Sequence, residues 1–202
     1  MTQIAEPQNA RSRRTADSLL ATARALIEEQ GFESVTMAAV AERAGVSRRA
    51  IYLHFSSRTD LLVAVFNHIG EQEDLAGSSR HVWEAPDAET ALVEFAHHLS
   101  RFHISALAVS RAIERARHSD ELAARMWRTI QRNWRTTCRR LLRRLDDEGV
   151  LAQFWTVSTA TDMLCALMSF ELTESLVVDR GWSRAKYAEH LAELFRSTFV
   201  RR

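Results

Sequence analysis

The residues of this chain best suited to chemistry are four arginines in a short window. Arg43, Arg48, Arg49 and Arg58 are accompanied by no acidic residue between Arg43 and Arg58, although the 202-residue chain balances 27 basic against 26 acidic residues, with a net charge of +1. Positive charge is therefore concentrated locally. Arg48 and Arg49 take the first two positions of a short helix predicted after Ser47, and Arg58 the first position of the next. A cation at a helix N-terminus opposes the macrodipole, typically by ~0.3–1 kcal/mol. A rule broken at two neighbouring helix starts calls for an anion. Exposed backbone N–H groups, the positive dipole end and a guanidinium together suit a phosphate, and DNA presents phosphates at regular spacing. Tyr52 and His54 add side-chain donors on the same element. The alternative is a set of merely solvated arginines, and the acid-free window weighs against it.

No other constellation supports catalysis. His97, His98 and His103 form no His-x-x-x-His pair on one helical face, and the chain has no HExxH, no Gly-rich phosphate loop and no Gly-x-Ser-x-Gly elbow. Cys138 and Cys165 lie 27 positions apart with no Cys-x-x-Cys pair, which fits neither a zinc knuckle nor a secreted disulfide framework. Both are expected as reduced core residues. The chain is thus read as a non-enzyme without cofactor or metal.

The elements that position the arginines follow from composition and from helix-end signals. Six glycines and two prolines, none of them between Asp87 and Glu148, are too few turn residues for a β-rich or βαβ chain of this length. An all-α protein of about nine helices is expected. Apolar residues Ala16, Leu19, Leu20, Ala23, Leu26 and Ile27 recur at helical spacing up to Gly31. Thr36 then caps a helix from Met37 to Ala44, with Val35 and Val40 as a hydrophobic staple, and Gly45 ends it. Ser47 caps the following helix in the same way, with Val46 and Ile51 as the staple pair. Two stapled helices around a glycine turn make a helix-turn-helix candidate. Ser57, with Asp60 three residues on, opens a longer helix through Leu61, Leu62, Val65, Phe66 and Ile69 into a loop near Gly77. Beyond it the pattern predicts helices from about Asp87 to His103, on to about His118, from Asp120 to Glu148, from Thr156 to Arg180 and from Ser183 to Val200. No apolar run approaches the roughly 20 residues of a membrane helix, and the N-terminus lacks a signal-peptide core. A cytoplasmic protein with no membrane partner is expected.

Thr36 through Leu62 resembles the DNA-binding segment of the tetracycline-repressor (TetR) family. The match runs through Thr36, Met37, Val40, Ala41, Ala44, Gly45, Val46, Ser47, Ile51, Tyr52, His54, Phe55, Ser57, Arg58, Leu61 and Leu62. The resemblance implies an N-terminal three-helix DNA-binding domain, residues 1–57, and a helical ligand-binding and dimerisation domain, residues 58–202. It implies that the helix after Ser47 enters the major groove, where Arg48, Arg49 and Ala50 face bases or flanking phosphates. Thr36, Ser47, Tyr52 and His54 belong to the same DNA-facing set, and Arg58 stands where the family usually has a phosphate-gripping lysine. Only Lys186 among the basic residues is lysine, so arginine in that slot carries little meaning of its own. Many members have a small residue in place of Arg49. That arginine either forms a bidentate contact to guanine, with ~1–3 kcal/mol of discrimination, or clamps a phosphate. Arg11, Arg13 and Arg14, read as preceding the first helix, reach the minor groove or form a basic tail.

The rest of the chain is read through the same resemblance. Helix-turn-helix proteins usually bind pseudo-palindromes as dimers, and the family pairs its last two helices. Leu164, Met168, Leu172, Leu191, Leu194 and Phe195 are the expected interface of a homodimer, with intrachain core as the alternative. The family encloses a small inducing molecule in the middle helices, and Phe95, Phe102, His103, Trp127, Trp134 and Phe170 are the candidate lining. Core packing alone would also explain most of these residues. His98, His103, Arg101, Glu114 and Glu171 are candidate polar handles among which spacing does not choose. Arg125, Arg128, Arg132, Arg135, Arg139 and Arg143 form a basic stripe, read as the solvated face of an amphipathic helix. The expected function is a repressor released from a palindromic operator on double-stranded DNA by a small apolar or aromatic molecule. The alternative is a DNA-binding regulator whose C-terminal domain is a protein-interaction platform.

Overall fold

Thr36 and Ser47 both sit in extended backbone and accept the N–H of the residue three positions on, Ala39 at 3.1 Å and Ala50 at 3.2 Å. These caps open the second and third of ten α-helices in a computed structural model that describes residues 5–201. The helices are α1 (Ala5–Gln30), α2 (Met37–Arg43), α3 (Arg48–Tyr52), α4 (Arg58–Gln72), α5 (Leu75–Glu84), α6 (Ala88–Ala116), α7 (Glu121–Asp147), α8 (Val157–Leu167), α9 (Phe170–Thr173) and α10 (Arg184–Phe199). A 3₁₀ turn covers Phe32–Ser34 and a π-helical stretch covers Glu174–Asp179. The all-α expectation holds: the one extended pairing among the described residues is a bridge between Leu151 and Val200. None of these helices is long and apolar enough to cross a membrane.

The chain divides into two units, Met1–His68 with Ala108–Met126, and Ile69–Leu107 with Trp127–Arg202, so the division falls inside α4, α6 and α7. In the first, the periodic face of α1 (Leu19, Ala23, Leu26, Ile27) is buried, as are Val35 and Val40 of the first staple and Ile51 of the second. Burying a side chain of this size contributes ~1.5–3 kcal/mol, so the two short helices are held by their staples rather than by intrinsic propensity. In the second unit the core gathers Leu92, Phe95, Leu141, Leu145, Leu164, Tyr187, Leu191, Phe195 and Phe199. Two of its buried hydroxyls are matched to each other, Thr173 Oγ1 and Tyr187 OH lying 2.9 Å apart, as burial of polar groups requires.

Four readings are corrected. Arg11, Arg13 and Arg14 lie within α1, which begins at Ala5, so they are helical and belong to no arm ahead of it. The two helices expected between Asp87 and His118 are one, α6 (Ala88–Ala116), because its buried face runs unbroken through Phe95, Leu99, Phe102, Ala106, Val109 and Ile113. Thr156 to Arg180 is interrupted instead: Ser169 turns extended and its hydroxyl caps α9 through Leu172 N–H, so a serine in an apolar run starts a new helix. Gly77 lies in no loop but in the first turn of α5, whose N-cap Asp74 holds a positive φ of 44° and accepts from Gly77 N–H at 3.0 Å. A Cβ on Gly77 would lie 2.0 Å from an Asp74 carboxylate oxygen, so a side chain here must displace the capping carboxylate, and glycine serves close approach rather than a turn.

Candidate nucleic-acid interface

The turn between α2 and α3 is built by Gly45, at φ +67°, and by Val46 N–H closing onto Ala41 O at 2.9 Å. Left-handed backbone favours glycine, so the reversal presents the start of α3 at a defined angle. Ile51 is fully buried on one side of that short helix and Phe55 follows it into the core. The opposite side of the segment therefore faces solvent. Arg48, Arg49 and Ser47 are exposed, Ala50 and His54 half-buried, Tyr52 48% exposed and Leu53 77% exposed. Leu53 was not singled out in the sequence; an apolar residue displaced from the buried face was its only signal.

The four arginines of the acid-free window are not equivalent. Arg43 forms a two-pronged ion pair with Glu29 of α1, at 2.6 and 2.7 Å. Its side-chain bond to that carboxylate holds Glu29 below the usual carboxylate range and raises Arg43 in turn. Arg58 lies over the Phe32 ring, 3.9 Å from its centroid, with Glu33 Oε2 at 3.7 Å. Arg48 and Arg49 have neither a carboxylate partner nor a stacked ring among the described residues. Two consecutive guanidinium groups thus stand on an exposed element that also carries a phenol, a half-buried imidazole and the cap hydroxyl of Ser47, and the hydroxyl of Thr36 caps the helix before it. Those hydroxyls accept from the backbone and retain their own hydrogens to donate. Chemically the surface is a set of donors around two uncompensated cations, which suits a polyanion.

In the second unit five of the six candidate pocket residues converge. The His103 ring lies 4.8 Å from Phe170, 5.4 Å from Trp134 and 6.3 Å from Phe102, and Trp127 lies 6.4 Å from Trp134 and 6.3 Å from Phe170. Phe95 points elsewhere, stacking on His98 and Phe195. His103 is fully buried and its Nε2 has no hydrogen-bond partner. Burial pushes its pKa down to about 3, with a smaller contribution from His98, so the ring is neutral. The other proposed handles are engaged or exposed: His98 and Arg101 both meet Ser78 Oγ, Glu114 pairs with Arg111 at 2.7 Å, and Glu171 is exposed. Ser78 was missed because α5 was read as loop.

The six residues expected at a dimer interface are placed differently from one another. Leu164, Met168, Leu191 and Phe195 are consumed by the core of their own unit, Leu172 is half-buried, and Leu194 is 39% exposed. Leu194 lines an open groove of about 890 Å³ with Val93, His97 and His190. In the basic stripe of α7, Arg125 pairs with Glu121 and Arg135 with Asp162.

Residues 19–65 match the family of bacterial regulatory proteins, tetR family. No curated protein matches the chain in sequence. Among solved structures the chain is similar to one described as a transcriptional regulator from Saccharomonospora viridis in complex with choline, with a TM-score of 0.76 and 19% identity over 94% of this chain and 100% of that one. It is similar to the SmeT–triclosan complex, with a TM-score of 0.72 and 19% identity over 93% of this chain and 92% of that one. It is also similar to NalD, the secondary repressor of the MexAB-OprM multidrug efflux pump in Pseudomonas aeruginosa, with a TM-score of 0.71 and 22% identity over 95% and 98%. At these identities the likeness establishes the fold.

Proposed function

We propose that this chain, whose residues 19–65 belong to the tetR family of bacterial regulatory proteins, is a homodimeric repressor that leaves a palindromic operator when a small molecule binds its second unit. The observation that carries the DNA reading is the pair Arg48 and Arg49, exposed without a carboxylate partner among the described residues, at the start of a capped helix that follows a glycine turn. In this reading α3 enters the major groove. Arg49 contacts a base edge, while Arg48, Tyr52, His54 and the hydroxyls of Thr36 and Ser47 hold flanking phosphates. Arg58 grips phosphate from its seat on Phe32. Two copies are needed because half-sites lie roughly 34–36 Å apart. The outward apolar side chains Met163, Val178 and Leu194 on the last elements are suited to cover one another in such a pair.

The ligand reading is supported by His103. A buried ring nitrogen without a partner is costly, and it stands among rings that suit an apolar or aromatic molecule carrying one hydrogen-bonding group. Ligand entry favours a conformation in which α4, which begins at Arg58 beside the reader and ends in the second unit, no longer holds two readers at operator spacing. The coupling required is typically 1–3 kcal/mol. No catalytic step is assigned, and the site of action is the cytoplasm.

The test is selection of bound duplexes from a random pool by the full chain. A palindromic motif, preferred well over tenfold above random duplex at physiological salt, is the expected result. Well-folded protein that enriches no motif overturns the specific-repressor reading. For the ligand, thermal stabilisation by apolar compounds that also release the selected duplex is expected. Stabilisation by none would leave an interaction platform as the role of the second unit.

A further inference from the structure

The two cysteines, distant in sequence, stand on two helices of the second unit that touch on either side of them. Cys138 of α7 is buried, Cys165 of α8 is half-buried, and both are free thiols. The Cys138 thiol donates to Met168 Sδ at 3.2 Å, and Met168 closes the helix that carries Cys165 three residues earlier. Arg135, one turn before Cys138, is ion-paired with Asp162, one turn before Cys165. A guanidinium is thereby fixed beside the more accessible sulfur. We propose that Cys165 and Cys138 are a peroxide-oxidisable thiol pair that closes to a reversible disulfide between α7 and α8.

The two thiols are placed for different roles. Reactive cysteines are partly exposed and electropositive in surroundings, whereas fully buried ones stay protonated. The neighbouring Cys138 and then the charge of Arg135 hold Cys165 below the usual thiol range, against burial and the Asp162 carboxylate, while Cys138 is raised by its neighbour and by burial. In the first step the Cys165 thiolate attacks one oxygen of a hydroperoxide. The S–O bond forms as the O–O bond breaks, sulfur is oxidised to a sulfenic acid, and the departing alkoxide takes up a proton as the alcohol. Oxidation removes the negative charge that kept Cys138 protonated. The Cys138 sulfur then attacks the Cys165 sulfur, the S–S bond forms, and the S–O bond breaks with loss of water that carries the Cys138 proton. The balance is two thiols and one hydroperoxide to one disulfide, one alcohol and one water.

The experiment treats the full reduced chain with hydrogen peroxide and reads its mass, its free thiols and its peptides without reductant. The expected result is loss of two hydrogens, loss of both titratable thiols, a peptide joining Cys138 to Cys165, and full recovery with dithiothreitol. Cys138→Ser and Cys138→Ala are expected to stop at a sulfenic acid on Cys165 that dimedone traps and that wild type does not accumulate. Unchanged thiols, oxidation of Cys165 beyond sulfenic acid in wild type, or a disulfide formed only between chains would each overturn the proposal. Because the primary reading is made on wild type, failure of a variant to fold does not affect it.

Discussion

Thr59 Oγ1 donates a 2.8 Å hydrogen bond to Asp120 Oδ2, joining the second residue of α4 to the residue that precedes α7. Asp120 meanwhile accepts the N–H groups of Leu122 and Ala123 through its other oxygen. One carboxylate thus caps α7 and fastens it to α4, the helix that follows α3. Asp120→Ala is expected to cost ~1–2 kcal/mol, a cap together with its side-chain bond, and Thr59→Val about 1 kcal/mol, both read from urea unfolding midpoints. The carboxyl is held below its ordinary value of 3.8, first by the Ala123 N–H and, among other bonds, by Thr59. A depressed folded value stabilises the fold above the unfolded pKa and loses that contribution as pH falls through the folded one. The gap between wild type and Asp120→Asn should accordingly narrow below about pH 4; a gap independent of pH would contradict the assignment.

The arginines on and beside α3 should separate by assay. Arg48→Ala and Arg49→Ala remove exposed side chains with no carboxylate partner among the described residues and are expected to leave stability within about 0.5 kcal/mol. Where the arginine holds a phosphate, its removal should lower the salt slope of DNA binding by about 0.9. Where it reads a base edge, removal should cost ~1–3 kcal/mol of discrimination at one position. Arg58→Ala also removes the stack on Phe32 and should cost stability of ~0.5–1 kcal/mol. Equal unfolding midpoints for Arg58→Ala and Arg48→Ala would remove the distinction.

Acid should destabilise the protein through its histidines. His103 is depressed to about 3 by burial with a smaller effect of His98, and His98 to about 4 by burial and then Arg101. Both rings are neutral in the fold and protonate near pH 6.5 when unfolded. Their contribution is complete above pH 6.5 and declines as pH falls from there toward 4, each group adding a slope of about 1.4 kcal/mol per pH unit. His103→Phe should flatten that decline and, by removing a buried nitrogen without a partner, stabilise the ligand-free protein by ~1–3 kcal/mol. A steeper or unchanged acid limb in the variant would mean that His103 is not the titrating group.

Gly77 should tolerate no side chain while Asp74 caps α5. Gly77→Ala must displace the carboxylate that a Cβ would meet at 2.0 Å, and a loss of about 1 kcal/mol or more is expected with the cap. Asp74→Gly removes the obstacle and suits the positive φ of 44°. The two substitutions together should therefore cost less than their sum in thermal unfolding, and strict additivity would argue against the clash.

Much of the helix-turn-helix segment was legible along the chain because its signals act over a single turn. Thr36, Ser47 and Ser183 each cap by reaching the N–H three residues on, and Gly45 marks a backbone reversal, so residue type at a fixed offset decides the geometry. The apolar periods of α1 and α7 likewise name the buried face. Periodicity does not name what that face meets. Leu164, Leu191 and Phe195 carry a stripe that reads equally as interface or core, and only packing assigned it to the core of its own unit. Spacing could not single out His103 among five polar candidates, because its neighbours Trp134 and Phe170 come from two other helices and the second of them depends on the break at Ser169. The same holds for charge: four arginines were equal in sequence until Glu29 from α1 took Arg43 and Phe32 took Arg58. Local rules within one turn were determined by the sequence itself, because covalent spacing enforces them. Which side chain is paired, orphaned or exposed was decided by the tertiary structure, because those states depend on atoms that chain spacing does not hold together.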